Sequence, residues 1–386
     1  MGDRRHPEPE RSLTVRRIHA ARVLTIVAIA TVAATGAPAG RAAAAVASNR
    51  ETLGGVSCPT ATTCFAVGIS ASSTSERTLV ERWNGKTWAK VPSPNVAGHA
   101  INVLSNVACA TATSCFADGF SSTTLSGKGT GSLMERWNGK TWSILATPGA
   151  VSPGGLACTS ATNCFAVGEG IERWNGKAWS VVKTPKPVFS SDVTCATSTS
   201  CIAVGASSAR WNGQTWSVVP TPQPGDPGSD FFALDSVACM TPSNCLALGL
   251  DSEPINSFST LAEHWNGRTW SLLGPDALAN APGADLGTVT CPTATDCFVV
   301  GGSDPVAVDR QHVTAYHWDG TTFTPLTTPS FGAGNSYLND VSCSSATNCF
   351  GVGALSRPYF GDLHTLIEHW NGTTWSVSGP QSRATS

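Results

Sequence analysis

An all-β fold of seven four-stranded antiparallel sheets is predicted by three observations. All 14 cysteines fall in seven C-x5-C pairs, whose first members are Cys58, Cys109, Cys158, Cys195, Cys239, Cys291 and Cys343, at steps of 51, 49, 37, 44, 52 and 52 residues. Each pair is followed by one W-[N/D]-G-x-x-[W/F] motif, and all 13 tryptophans sit in those motifs. Each repeat also carries four β-prone runs. Four-stranded units repeated radially make a propeller of four to eight blades, here seven.

The blades start near residues 53, 103, 154, 190, 234, 286 and 338 of a propeller spanning 48–379, with 380–386 as a tail. In the first repeat, strand 1 is Leu53-Gly54-Gly55-Val56-Ser57-Cys58 and strand 2 is Cys64-Phe65-Ala66-Val67-Gly68, joined by five polar residues. The cysteines flank that loop and pair locally as Cys58–Cys64, Cys109–Cys115, Cys158–Cys164, Cys195–Cys201, Cys239–Cys245, Cys291–Cys297 and Cys343–Cys349. By chain entropy each clip contributes on the order of 2 kcal/mol. Strand 3 ends in Glu81-Arg82-Trp83 and strand 4 starts at Trp88, with the hairpin signal Asn84-Gly85 between them. If those two residues are the whole loop, Trp83 pairs with Lys86 and Glu81 lies opposite Trp88. Both indoles then share one face on a diagonal, and Arg82 and Thr87 face the other way. Two large rings per blade on one face suit the space between blades.

A meander of this kind places turns 1–2 and 3–4 on one regular rim. Connections 2–3 and 4–1 emerge on the opposite rim, where their lengths vary, and variable loops on a rigid scaffold are where function concentrates. Between the strand-2 glycine and the motif tryptophan lie five residues in blade 3 (Glu169 to Arg173) and five in blade 4 (Ala206 to Arg210), against 17 in blade 2 and 15 or 16 in blades 5 to 7. A rim low over blades 3 and 4 follows. The sequence leaves open whether the ring closes by packing alone.

The first residues are basic (Arg4, Arg5, Arg11, Arg16, Arg17, Arg22), then apolar from Val23 to about Ala34, then small around Ala39 and Ala47. That order reads as an export signal over 1–47, either cleaved or kept as an anchor. The apolar run is shorter than the roughly 20 residues of a membrane span. Export makes the even cysteine count a disulfide framework. No histidine recurs beside the pairs, so no metal is assigned to them. Residues 1–47 hold seven of the 24 basic and three of the 26 acidic side chains, leaving 17 against 23 and a net charge of −6. A domain so charged is a poor partner for nucleic acid or an anionic membrane.

The order of a strand ending in Gly68, a variable loop, Trp83, a turn and Trp88 resembles the kelch repeat of β-propellers. Gly85-Lys86-Thr87-Trp88 is similar to the Asp-box turn of sialidase-type propellers. The resemblance spans 53 to about 379 and implies the fold. The kelch glycine doublet stands only at Gly301-Gly302, and Trp83 occupies the place of the Asp-box acid, so no active site is implied.

Three groups of candidate site residues stand out. The first is the repeated triplet, Glu81-Arg82-Trp83, Glu135-Arg136-Trp137 and Glu172-Arg173-Trp174, which resembles the residue types of fucose-binding propeller lectins. Its structural reading is an arginine stacked on a neighbouring blade's ring with the glutamate paired to it. The second group is polar: Asp304, Asp309, Arg310 and His312 in the blade-6 loop, with Arg357, Tyr359, Asp362 and His364 in the blade-7 loop. These converge as a small-molecule site if both loops lean over the channel. The third is Phe231-Phe232 in the connection from Val219 to Leu234, either a contact patch or a plug on the rim.

No G-x-S-x-G elbow and no H-E-x-x-H motif occurs. A sialidase needs convergent arginines and a nucleophilic tyrosine, and only Tyr316, Tyr337 and Tyr359 exist, Tyr316 in a strand. A copper-radical oxidase resembling galactose oxidase needs a spare cysteine, and the repeats use all of them. No catalytic residue, metal or cofactor is assigned. The expectation is a secreted, monomeric, non-enzymatic module binding a glycan, a cell-surface component or a protein through its variable face. The alternatives are a glycoside hydrolase or lyase using loop carboxylates and a multivalent lectin with sites between blades.

Overall fold

The structure, a computed structural model, describes residues 50–149, 154–184, 188–222, 231–253, 257–274, 277, 285–302, 311–332, 334–356 and 363–379. The expected export signal, 1–47, and the C-terminal tail, 380–386, lie outside the described residues.

Blade 1 consists of β1 (Arg50–Thr60), β2 (Thr63–Ala71), β3 (Glu76–Trp83) and β4 (Trp88–Lys90), and blade 2 of β5 (Ile101–Thr111), β6 (Ser114–Ser122), β7 (Gly131–Trp137) and β8 (Trp142–Leu145). Blade 3 has β9 (Gly155–Ser160), β10 (Asn163–Val167), β11 (Ile171–Trp174) and β12 (Trp179–Val181), and blade 4 has β13 (Ser190–Thr197), β14 (Ser200–Gly205), β15 (Ser208–Trp211) and β16 (Trp216–Val219). Blade 5 runs through β17 (Phe231–Thr241), β18 (Asn244–Glu253), β19 (Ser257–Trp265) and β20 (Trp270–Leu272), and blade 6 through β21 (Asp285–Thr293), β22 (Asp296–Gly302), β23 (Val313–Trp318) and β24 (Phe323–Leu326). Blade 7 is β25 (Ser336–Ser345), β26 (Asn348–Ser356), β27 (Leu363–Trp370) and β28 (Trp375–Val377). Each sheet is a four-stranded antiparallel meander in chain order, so the fold is a seven-bladed β-propeller. All seven disulfides join the cysteines paired from sequence.

Both hairpin turns differ from the sequence reading. The five-residue loop inside each cysteine pair is mostly strand: Thr60 pairs with Thr63, the turn is Ala61-Thr62, and a register shift lies between Ser57 and Thr60. β-Prone residues carry the ladder past the cysteines, and hydroxyls bridge its end, as Thr113 N donates to Thr111 Oγ1 at 3.3 Å. The Asn84-Gly85 turn is the reverse case. Trp83 pairs directly with Trp88 and Glu81 with Lys90, so the loop has four residues. Asn84 Oδ1 accepts the amides of Lys86 at 2.9 Å and Thr87 at 3.0 Å, an Asx turn that competes with the two-residue alternative. Gly85 takes φ +93°, which only glycine adopts without strain.

The hydrophobic core is divided among the seven seams between blades. In the seam of blades 1 and 2, Phe65 of β2 lies edge-on to Trp142 at 5.5 Å and tilted against Trp137 at 5.1 Å. The same arrangement recurs with Phe116 on Trp174 and Trp179, and with Phe165 on Trp211 and Trp216. It recurs where the ring closes, Phe350 of blade 7 lying edge-on to Trp88 at 5.2 Å and tilted against Trp83 at 5.1 Å. Closure is therefore by packing, with β1–β4 all from the start of the ring and β25–β28 all from its end. The same seam carries hydrogen bonds from Val56 N to Asp340 Oδ2 at 2.7 Å and from Asn339 Nδ2 to the Leu53 carbonyl at 2.8 Å.

Candidate functional site

Three places in this frame hold chemistry-bearing side chains: the seams, the inner strands and the variable rim. Along strand 3 successive side chains alternate, so the residues of a Glu-Arg-Trp triplet face two seams. Glu135 and Trp137 face blade 1, where Glu135 Oε2 accepts from Ser93 Oγ at 2.7 Å and Trp137 packs on Phe65. Arg136 faces blade 3, its guanidinium 5.1 Å from the Trp174 centroid and 5.8 Å from that of Phe116. Arg82 sits likewise over Phe65 and Trp137, and Arg173 over Phe165 and Trp211. The arginine half of the structural reading holds, while its paired glutamate does not: Glu81, Glu135 and Glu172 turn away from the arginine beside them in sequence and are buried. Glu172 Oε1 accepts the amide of Gly149 at 3.1 Å.

The strand-3 tryptophans have a polar role that hydrophobic patterning does not show. Nε1 of Trp83, Trp137 and Trp174 donates to the carbonyls of Ala61, Ala112 and Ala161 at 3.1–3.3 Å, tying hairpin 3–4 to turn 1–2. The basic position before them also has a partner legible in sequence. Where Asn or Asp precedes the second cysteine, the base bonds to it: Arg173 to Asn163 at 3.0 Å, His264 to Asn244 at 2.9 Å, His317 to Asp296 at 3.2 Å and His369 to Asn348 at 2.6 Å.

Three acids on the first and second strands of the blades, Asp340, Asp192 and Asp118, were missed from sequence. Asp340 accepts from Val56 N and from Val341 N at 2.8 Å, and burial still pushes it up to about 7. Asp192 accepts from Val193 N at 2.7 Å, Val237 N at 2.9 Å and Ser236 Oγ at 3.2 Å, and burial raises it to about 6. Both occupy the third position before a first cysteine, where they stitch one inner strand to the amide edge of the next. Asp118 stands where blades 1 and 3 have Val67 and Val167; Asn106 Nδ2 donates to it at 2.9 Å, and burial raises it to about 7. Among the described residues no group of three or more His, Cys, Asp or Glu is placed to hold a metal.

The variable rim breaks the sevenfold regularity. β10 stops at Val167 and β14 at Gly205, whereas β6 runs on to Ser122 and β18 to Glu253. Equivalent points in these strands are Asp118, Val167, Val204 and Leu248. The flanking hairpins of blades 2 and 5 therefore rise four to five residues past blade 3, about 13–16 Å at strand rise. The result is a notch two blades wide, floored by the turns at Gly168–Gly170 and Ala206-Ser207. Phe189, just before β13, is 39% exposed, and Leu125, in the blade-2 connection, is 51% exposed.

Asp304, Asp309, Arg310, Arg357, Tyr359 and Asp362 lie outside the described residues. His312 is exposed just before β23, and His364 is half-buried in β27 opposite Leu355. Phe231 and Phe232 belong to β17, opposite Ser252 and Asp251, so they extend an inner strand where the sequence reading had a connecting loop. Phe232 packs against the core between blades 4 and 5.

Comparison with known proteins places this architecture. No protein-family model and no curated protein sequence matches the chain. A solved structure described as YCF48 bound to D1 peptide is similar at a TM-score of 0.51 and 14% identity, over 79% of this chain and 91% of that one. The propeller domain of the Trilobed protease from Pyrococcus furiosus, described as having an open velcro topology, matches at 0.51 and 11% identity, over 86% of this chain and 97% of that one. These likenesses show the fold alone. The propeller of the present chain is closed by the seam of blades 7 and 1, without strand exchange among the described residues.

Proposed function

We propose that the protein is a secreted, non-enzymatic binding module that takes an extended protein segment in the notch over blades 3 and 4. The notch is the observation that carries this reading, because it breaks the regular rim and has Phe189 exposed beside its floor, with Leu125 exposed in the neighbouring blade-2 connection. A structural neighbour is described as bound to a peptide, which is consistent with a protein ligand. Seven disulfides fit an oxidising compartment, and the basic–apolar–small order of residues 1–47 supports export. Among the described residues no helix is long and apolar enough to cross a membrane. The kelch-like character of the repeat belongs to the same reading.

The test is selection of peptides on the mature domain beside a glycan-array screen, with calorimetry on every hit. The reading expects one peptide per chain and at least tenfold weaker binding by Phe189→Asp, with the thermal midpoint unchanged. Several equivalent sugar sites per chain would establish the lectin alternative instead. Turnover of a glycan, abolished by His364→Ala, would establish the enzyme.

A further inference from the structure

Five seams receive a glutamate from strand 3, and Glu81, Glu135, Glu172, Glu263 and Glu368 are all 0–1% exposed. Blades 4 and 6 carry Ala209 and Tyr316 at the equivalent position, so the architecture does not require an acid there. Glu81, Glu263 and Glu368 have no hydrogen-bond partner on either carboxyl oxygen among the described residues. Glu81 has the charge of Lys90 near it, so Glu263 and Glu368 are the most isolated. Within their own sheets they stand between Ala247 and Leu272, and between Gly351 and Val377.

The charged groups facing them from the neighbouring blades are engaged elsewhere. In the seam of blades 4 and 5, β15 presents Arg210, which lies over the Trp265 ring at 6.0 Å, and Ser208, which accepts Trp270 Nε1 at 3.1 Å. In the seam of blades 6 and 7, β23 presents His317, which sits 5.4 Å from Phe298 and pairs with Asp296. A bare carboxylate sealed in such a place is expensive, whereas a neutral acid is tolerable.

We propose that these two seams form a pH-sensitive device, in which Glu263 and Glu368 pack as neutral acids and loss of their protons loosens the contacts between blades. Burial alone pushes both carboxyls up to about 8, and Glu135 up to about 7. The folded state therefore holds protons that the unfolded chain releases near its ordinary value of 4.5. The stability they contribute is full below about 4.5 and is lost as pH rises through about 8. The ring is tightest in mildly acidic surroundings.

Thermal midpoints of the disulfide-intact protein between pH 4.5 and 9 test this, beside a Glu263→Gln/Glu368→Gln double variant. The wild type is expected to lose midpoint steadily toward pH 9, and the double variant to fall less and to exceed it at pH 9 by several degrees. Asp118, Asp192 and Asp340 remain in both proteins, so the difference isolates the two glutamates. Glu263→Ala, copying the residue of blade 4, serves as a second variant. At pH 6 the infrared band of protonated carboxyls should weaken in either variant. Parallel midpoint profiles, or a wild-type spectrum at pH 6 with no protonated-carboxyl band removed by substitution, would overturn the proposal.

Discussion

A phenylalanine of strand 2 meeting two tryptophans of the next blade is the contact on which each aromatic seam turns. Phe65 is fully buried against Trp137 and Trp142, so Phe65→Ala removes a ring that the seam cannot refill. The expected cost is about 3–5 kcal/mol in denaturant unfolding, and a loss below about 1 kcal/mol would mean that seams contribute little. The shared face of the two indoles was legible in sequence, because alternation along a strand fixes it. The direct pairing of Trp83 with Trp88 was not, because Asn84-Gly85 satisfies both a two-residue turn and an Asx turn, and only the side-chain bond to Lys86 and Thr87 decides between them. Asp118 was in plain view as an acid at a strand position that reads Val or Leu elsewhere. A reading centred on the repeated positions passed over that single departure.

At the scale of the element, each blade begins with a disulfide-clipped hairpin whose pairing follows from spacing alone. Replacing one clip, Cys195→Ala with Cys201→Ala, should lower stability by about 2 kcal/mol and leave the fold intact. Near-ultraviolet circular dichroism and a denaturant titration would show both. The first strand poses a different problem, since its inner edge has no neighbouring strand to pair with. Asp340 and Asp192 answer it by accepting amides of the following blade. Asp340→Ala should leave Val56 N unpaired, cost about 1–3 kcal/mol, and speed hydrogen exchange at Val56 and Val341. Exchange at Val289, whose amide is held by Ser236, should stay slow. Such stitches were invisible in sequence because their partner lies a whole blade away, and across the closing seam 284 residues away.

For the whole molecule, the number of blades and the low side of the variable rim were both readable from spacing, since strand 2 and strand 3 cannot rise where only five residues join them. How the ring closes was not readable. Closure by packing and closure by a shared strand place the same residues in the same repeat, and the sheet composition, with β1–β4 in one sheet and β25–β28 in another, distinguishes them. The polar loop candidates of blades 6 and 7 fall mostly outside the described residues, so the functional reading rests on the notch. The notch and the seams both require a rigid ring whose blades are clipped one by one.

Peptide mapping of the unreduced protein tests that requirement most directly. The account predicts seven cross-linked peptides, each joining a cysteine to the one six residues further on. A bond between cysteines of different blades, or seven pairs of free thiols, would contradict it.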